Sequence, residues 1–254
     1  MLKVLRKARR RVLSHPQQRA LAITWIGRNR SSWLATNIAG TSIKPPRTSY
    51  SKTIEGLAAE TNREGPQPLW EGYAGNNTRG ATRLPSDVRT NKLTGDFYSW
   101  LVSTWKPKTI VEFGTAFGVS GMYFLAGIEA NGQGELYTFD PNETWHKLAL
   151  RCLSGISQRY TSVAGTFEDN IDKVLPAGQG IDLAFIDAIH TSEFVKPQLE
   201  LVLARASDHA LVILDDIDFS DDMRQCWKEV ALDPRFVASA ELGTRVGLVE
   251  YVRR

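Results

Sequence analysis

Three carboxylates and one imidazole stand at a spacing suited to chemistry. Asp187-Ala-Ile-His190 is followed, 28 residues after Asp187, by the pair Asp215-Asp216. Asp187, Asp215 and Asp216 together could hold a hard cation. Mg2+ prefers oxygen ligands at about 2.0–2.1 Å and keeps open or water-filled positions. His190 lies one short turn beyond Asp187. An unperturbed imidazole pKa of about 6.5 suits a general base near neutral pH. A lone histidine after a strand is more often structural, but the neighbouring strand-end Asp187 favours a catalytic pair here. His146, six residues after Asp140, reads instead as a surface residue. A second constellation is Glu112-Phe-Gly-Thr-Ala-Phe-Gly-Val-Ser120. Gly114 and Gly118 permit a tight turn and close backbone approach to a ligand. The spacing is not the Gly-x-Gly-x-x-Gly of dinucleotide sites, and no Gly-Lys-Ser/Thr follows as in a phosphate loop. Asp140 ends the next apolar run, where an acid can bond ribose hydroxyls.

These residues need elements that bring them to one edge. Leu93, Phe97, Trp100, Leu101 and Trp105 recur at helical spacing, and Lys106-Pro107-Lys108 ends that helix. Short apolar strands then alternate with helices. The strands are expected over 109–113, 135–139, 160–163, 181–186 and 210–214, and the helices over 120–130, 145–153, 167–175 and 192–206. Such alternation implies a parallel sheet covered on both faces, doubly wound through right-handed crossovers. The last two strands, 236–242 and 246–252, are joined only by Gly243-Thr244-Arg245. A link that short makes an antiparallel hairpin. The expected fold is α/β, a doubly wound, mostly parallel seven-stranded sheet with an antiparallel last strand. Ligands of such sheets bind at the carboxyl ends of the strands. Glu112, Gly114, Asp140, Asp187, Asp215 and Asp216 all fall there.

The pattern Glu112-x-Gly114-x-x-x-Gly118-x-Ser120, then Asp140, Asp187 and the antiparallel last strand, resembles the class I S-adenosylmethionine-dependent methyltransferases over residues 91–254. The resemblance implies a Rossmann-like fold with S-adenosyl-L-methionine as cofactor. It implies that Gly114, Thr115, Gly118 and Ser120 cradle the methionine part, with Glu112 near its ammonium group. Asp140 would take the ribose, and Gly165-Thr166-Phe167-Glu168 stands where that family contacts adenine. Asp-x-x-His with a later acid–Asp pair resembles the metal-dependent O-methyltransferases, and among them the bacterial enzymes acting on sugar hydroxyls of natural products. The catechol type has Lys at the position of His190 and Asn at that of Asp216. The implied reaction is Mg2+-assisted methyl transfer to a sugar or polyol-like hydroxyl, with His190 as base and Asp187, Asp215 and Asp216 on the metal. The residues leave open an RNA ribose or small-molecule methyltransferase without metal, and a non-catalytic cofactor-binding scaffold.

Composition narrows the classes. At 42% hydrophobic and 23% charged residues, the chain has globular proportions. No apolar run approaches the ~18 residues of a membrane span. Two cysteines, Cys152 and Cys226, make neither a disulfide framework nor a metal pair. Residues 1–54 hold 12 of the 31 Lys and Arg, while all 28 Asp and Glu lie beyond them. A basic arm is thus attached to an acidic body. Leu2, Leu5, Ala8 and Val12 form a helical stripe beside Lys3, Arg6, Lys7, Arg10 and Arg11, limited by Pro16. Such a helix suits an anionic membrane surface or a solvated arm. The expected location is cytoplasmic, peripheral at the membrane if the arm binds there. Residues 1–90 read as this arm plus an irregular substrate-side extension, punctuated by Pro45-Pro46, Gly65-Pro66-Gln67-Pro68 and Gly75-Asn76-Asn77. Residues 91–254 read as the catalytic domain. The expected partner is a hydroxyl-bearing small molecule or glycan. Nucleic acid is not, because Asp187-Ala-Ile-His190 is not the Asn/Asp-Pro-Pro-aromatic motif of base methylation. A homo-oligomer is left open.

Overall fold

A computed structural model of the chain describes residues 20–69 and 81–253. The basic arm before Pro16, Trp70, Tyr73 and the Gly75-Asn76-Asn77 turn lie outside the described residues. In chain order the elements are β1 (Leu21–Arg28), α1 (Trp33–Asn37), β2 (Ser42–Ile43), α2 (Ser51–Asn62), β3 (Gln67–Pro68), β4 (Thr82–Arg83) and α3 (Lys92–Trp105). The alternating body follows: β5 (Thr109–Phe113), α4 (Val119–Asn131), β6 (Glu135–Asp140), α5 (Glu143–Ser154), β7 (Tyr160–Ala164), α6 (Phe167–Val174), β8 (Ile181–Ile186) and α7 (Ser192–Ala204). It closes with β9 (Ala206–Leu214), α8 (Asp221–Ala231), β10 (Phe236–Leu242) and β11 (Val246–Val252).

One sheet carries the molecule, in the order β2-β1-β10-β11-β9-β8-β5-β6-β7. The strands β5 to β9 pair in parallel, as the crossover helices require, and β11 returns antiparallel between β9 and β10. The seven expected strands are present, and β1 and β2 extend them to nine. Residues of β5 alternate between two cores. Ile110 packs with Phe97, Tyr98 and Phe124 under α3 and α4. Val111 and Phe113 pack with Phe167, Leu199 and Trp227 under α6, α7 and α8. Each such side chain, fully buried, contributes about 1.5–3 kcal/mol. The helix α4 is buried at every residue from Val119 to Ile128, as a helix apolar all round must be.

Six elements, β1 to β4 with α1 and α2, lie where sequence predicts irregular chain, and β1 and α2 are the longest. Leu21 and Ile23 are buried with a period of two, and β1 pairs antiparallel with β10. Ile54, Ala58 and Thr61 make the buried face of α2. The segment is tied down at Glu250, almost fully buried, which accepts the Trp33 and Leu34 backbone N–H groups at 2.8 Å each and lies 2.8 Å from His209 Nε2. The helix expected over 192–206 stops at Ala204, because Ala206 already pairs with Ile181 in the sheet. No helix among the described residues is long and apolar enough to cross a membrane.

Register positions the site. Phe113 pairs with Phe139 and with Ile186, and Ile186 with Leu214. Gly114, Asp140, Asp187 and Asp215 are each the next residue at or just past the carboxyl edge. They therefore stand in one row.

Candidate active site

The β5–α4 turn is organised by a buried hydroxyl–carboxylate network. Glu112 is fully buried on β5. It accepts hydrogen bonds from Ser120 Oγ at 2.5 Å and Thr138 Oγ1 at 2.6 Å, and Thr115 Oγ1 lies 2.5 Å from Thr138 Oγ1. Burial pushes the Glu112 carboxyl up to about 7, while the two hydroxyls pull it down and Asp140 adds to the rise. Gly114 has φ +89°, and a Cβ there would lie 2.2 Å from the Asp187 carbonyl oxygen. Only glycine lets the ends of β5 and β8 approach so closely.

Asp140 closes the turn from β6. One carboxylate oxygen accepts the Ala116 N–H at 2.7 Å and the other accepts the Asn142 N–H at 2.8 Å. Ala116 is thereby held at φ +44°, a conformation uncommon outside glycine. Burial raises the Asp140 pKa to about 6 against these two donors.

A cavity of about 340 Å³ opens beside this row. Gly114, Asp140, Thr166, Phe167, Glu168 and Asp187 all line it. Thr115 and Ser120 stand with Gly114 and Asp187 at a small adjoining recess that also includes Arg89. Glu112 supports that recess through Ser120. Gly118, at φ +79°, is the N-cap of α4 and packs on Ala149. The structure thus gathers the loop residues, some as walls and some as supports.

Among the wall residues that sequence reasoning missed are the polar Asn142, Trp145 and Gln198. Gln198 Nε2 donates to Glu168 Oε1 at 2.7 Å. Only the amide nitrogen can donate to a carboxylate, so Gln198 Oε1 is fixed as the remaining acceptor. It is buried without a partner, as is Trp145 Nε1. Phe113, Phe139 and Phe167 give the wall its apolar area. An apolar slot with Asp140 at one end, an unpaired donor and an unpaired acceptor fits a nucleoside carrying ribose hydroxyls and an amino-purine edge. His146, expected at the surface, is buried 3.3 Å from Ser162 Oγ.

The open side of the row holds the acids and His190. His190 Nε2 lies 3.8 Å from Asp187 Oδ1 and 3.6 Å from Asp216 Oδ2, and the ring packs on the exposed Phe219 at 5.1 Å. Burial lowers the His190 pKa, against the pull of Asp216 and Asp215. Burial and the Asp215 charge raise Asp187 well above the ordinary carboxylate range. Asp216 sits at φ +51°, which a short polar side chain tolerates. A residue unforeseen in this role, Arg245, enters here. Its Nε and Nη2 donate to the two oxygens of Asp215 at 2.9 and 2.6 Å, and Nε also lies 2.9 Å from Asp216 Oδ1. Burial opposes the guanidinium charge, but Asp215 and Asp216 outweigh it and hold the pKa above its ordinary value. The signal for Arg245 was in the hairpin register: Gly247 pairs with Leu214, which continued sets Arg245 opposite Asp216.

The geometry gives the metal expectation no support. Asp187, Asp215 and Asp216 do not fit a shared Mg2+ site, because a fork of Arg245 takes both oxygens of Asp215. Among the described residues no group of three or more His, Cys, Asp and Glu is arranged to hold a metal ion. Asp221 and Asp222 belong to the first turn of α8. Ser220 caps α8, and Asp222 accepts from Ser192 N and Oγ at 2.6 Å each.

Residues 111–217 match the family described as methyltransferase domain. No curated protein matches the chain in sequence. Solved structures are similar in fold. An O-methyltransferase from Streptomyces achromogenes, involved in tomaymycin synthesis and crystallised with S-adenosylmethionine, is 16% identical with a TM-score of 0.59, over 83% of this chain and 92% of that one. An O-methyltransferase from Bacillus cereus, in complex with S-adenosylhomocysteine, is 18% identical with a TM-score of 0.55, over 82% and 92%. A protein from Klebsiella pneumoniae described as an O-methyltransferase is 20% identical with a TM-score of 0.57, again over 82% and 92%.

Proposed function

From the premise that this chain carries a methyltransferase domain on the class I S-adenosylmethionine-dependent fold, we propose that it methylates a hydroxyl oxygen of a sugar or polyol-like acceptor seated beside His190. The observation that carries the reading is continuity. Asp187 lines the nucleoside-shaped cavity and also stands 3.8 Å from His190, so the cofactor end meets a base at one strand tip.

When bound, S-adenosylmethionine supplies an electrophilic methyl group and retains the sulfur electron pair as S-adenosylhomocysteine. Asp140 holds the ribose hydroxyls, and Gln198 with Trp145 pairs the base edge. The Thr115–Ser120 recess, backed by Glu112, receives the amino-acid end. His190 takes the acceptor hydroxyl proton as the new O–CH3 bond forms, a role contributing typically about 10²–10⁴-fold. Asp187 and Asp216 flank the imidazole and stabilise the imidazolium that results. Phe194 on the cavity wall and Phe219 against His190 are both exposed and offer apolar faces. Positioning of both reactants in one cleft supplies much of the rest.

Calorimetric titration with S-adenosylhomocysteine tests the reading. Saturable binding at one site per chain, with none for NAD, is the expected outcome. A protein that takes up neither ligand overturns it.

A further inference from the structure

The acid cluster is built around a cation that belongs to the chain itself. The β10–β11 hairpin delivers Arg245 to the carboxyl edge, and two backbone bonds anchor its tip. Gly243 N donates to Ala22 O at 2.8 Å, and Ile217 N donates to Arg245 O at 2.9 Å. The second bond locks the arginine onto the turn that carries Asp215 and Asp216. The guanidinium fork then faces the carboxylate of Asp215, which is 3% exposed, and shares Nε with Asp216. Asp216 stays in its left-handed conformation with one oxygen on Arg245 and the other 3.6 Å from His190. A planar fork matched bidentately to a carboxylate is a specific, oriented contact rather than loose charge balance.

We propose that Arg245 is the resident cation of the acceptor end, filling the place of a divalent metal and positioning Asp216 against His190. The site therefore works without a bound metal, and a metal enters only when the guanidinium is removed. Three carboxylates on adjacent strand tips would bind a hard cation if left uncompensated. Here the fork takes both oxygens of the most buried one, and its positive charge repels any second cation nearby. Arg245 is a positioning residue. It touches Asp215 and Asp216, and His190 only through Asp216. What it implies for the acceptor end rests on the methyltransferase reading, whereas the metal behaviour does not.

The test is Mn2+ binding by the full chain, read by electron paramagnetic resonance, with and without S-adenosylhomocysteine. Wild type is expected to bind no stoichiometric Mn2+ at millimolar concentration. Arg245→Met keeps the stem and removes the charge, and is expected to bind one Mn2+ per chain. Adding Asp215→Asn to that variant should abolish the site, and Arg245→Lys, which keeps a positive charge, should stay metal-free. A merely structural arginine would not change metal occupancy. The proposal is overturned if wild type binds one Mn2+ that Asp215→Asn removes, or if folded Arg245→Met binds none. If Arg245→Met does not fold, the wild-type titration with and without Asp215→Asn decides alone. Wild type that fails to bind S-adenosylhomocysteine overturns the methyltransferase reading instead, and leaves the Mn2+ result standing.

Discussion

Glu112→Gln isolates the physics of the cofactor end. Burial lifts the Glu112 pKa from 4.5 to about 7. A carboxyl with a raised folded pKa keeps its proton longer in the folded protein than in the unfolded chain. Its contribution to stability is complete below pH 4.5 and is lost as pH rises through about 7. At about 1.36 kcal/mol for each pH unit of separation, the whole contribution is roughly 3.4 kcal/mol. About 1.3 kcal/mol of it disappears between pH 6 and pH 8. Asp140, raised from 3.8 to about 6, acts in the same sense but chiefly at lower pH. It loses only about 0.4 kcal/mol over that window. Asp187 is raised as well, so one protein's curve cannot assign the slope. The difference between two proteins can, because glutamine does not ionise but still accepts from one hydroxyl and donates to the other. The assay is urea unfolding of the ligand-free wild type and Glu112→Gln at pH 6, 7 and 8, with slopes checked for equality. Wild type should lose about 1.3 kcal/mol more than the variant between pH 6 and pH 8. Parallel pH dependences would refute the reasoning, for they would mean Glu112 is ionised throughout.

Three further outcomes follow from the same site. Asp140→Ala removes the acceptor of two backbone N–H groups as well as the ribose partner, and should weaken S-adenosylhomocysteine binding by about 1.5–3 kcal/mol in calorimetry; unchanged affinity takes Asp140 out of the site. Gln198→Ala should weaken the same ligand by about 1–3 kcal/mol and abolish discrimination against its 6-oxopurine analogue; intact discrimination places the base edge elsewhere. His190→Ala should lower kcat by about 10²-fold while leaving S-adenosylhomocysteine affinity intact; full turnover in that variant means another group takes the proton.

The parallel body was legible because each strand is a short apolar run bounded by turn residues. The strands 109–113, 181–186, 236–242 and 246–252 match their expected bounds at every residue. β1 was not legible. Its alternation of Leu21, Ile23 and Trp25 is brief, sits among arginines, and finds its partner more than 200 positions away, as the bond from Gly27 N to Ser239 Oγ illustrates. α2 carries Gly56 in its middle and a face completed by Ala58 and Thr61, so its apolar signal is thin. Its helix is supported by tertiary contacts: Thr61 Oγ1 meets Cys152 Sγ of α5 at 3.1 Å, and Arg89 pairs with Glu55 at 2.6 Å.

The acids of the site were legible by the same logic, and Arg245 was not, for a related reason. Residues that end parallel strands are visible as a set, since each follows an apolar run. All of those here that could bind a cation are acids, so a metal was the natural inference. The compensating charge arrives from the opposite direction. β11 runs antiparallel to β9, so the residues that precede β11 lie at the edge where β9 ends. Arg245 occupies a three-residue link that reads as turn punctuation, yet that link returns to the carboxyl edge. With Gly247 opposite Leu214, each step back along β11 matches a step forward from β9, and Arg245 falls beside Asp216. Strand ends therefore have to be read together with the starts of any antiparallel neighbour before their charge is counted. Counted that way, this cluster is three acids, one imidazole and one guanidinium. The imidazole stands between Asp187 and Asp216, and the guanidinium holds Asp215 and Asp216 from the other side.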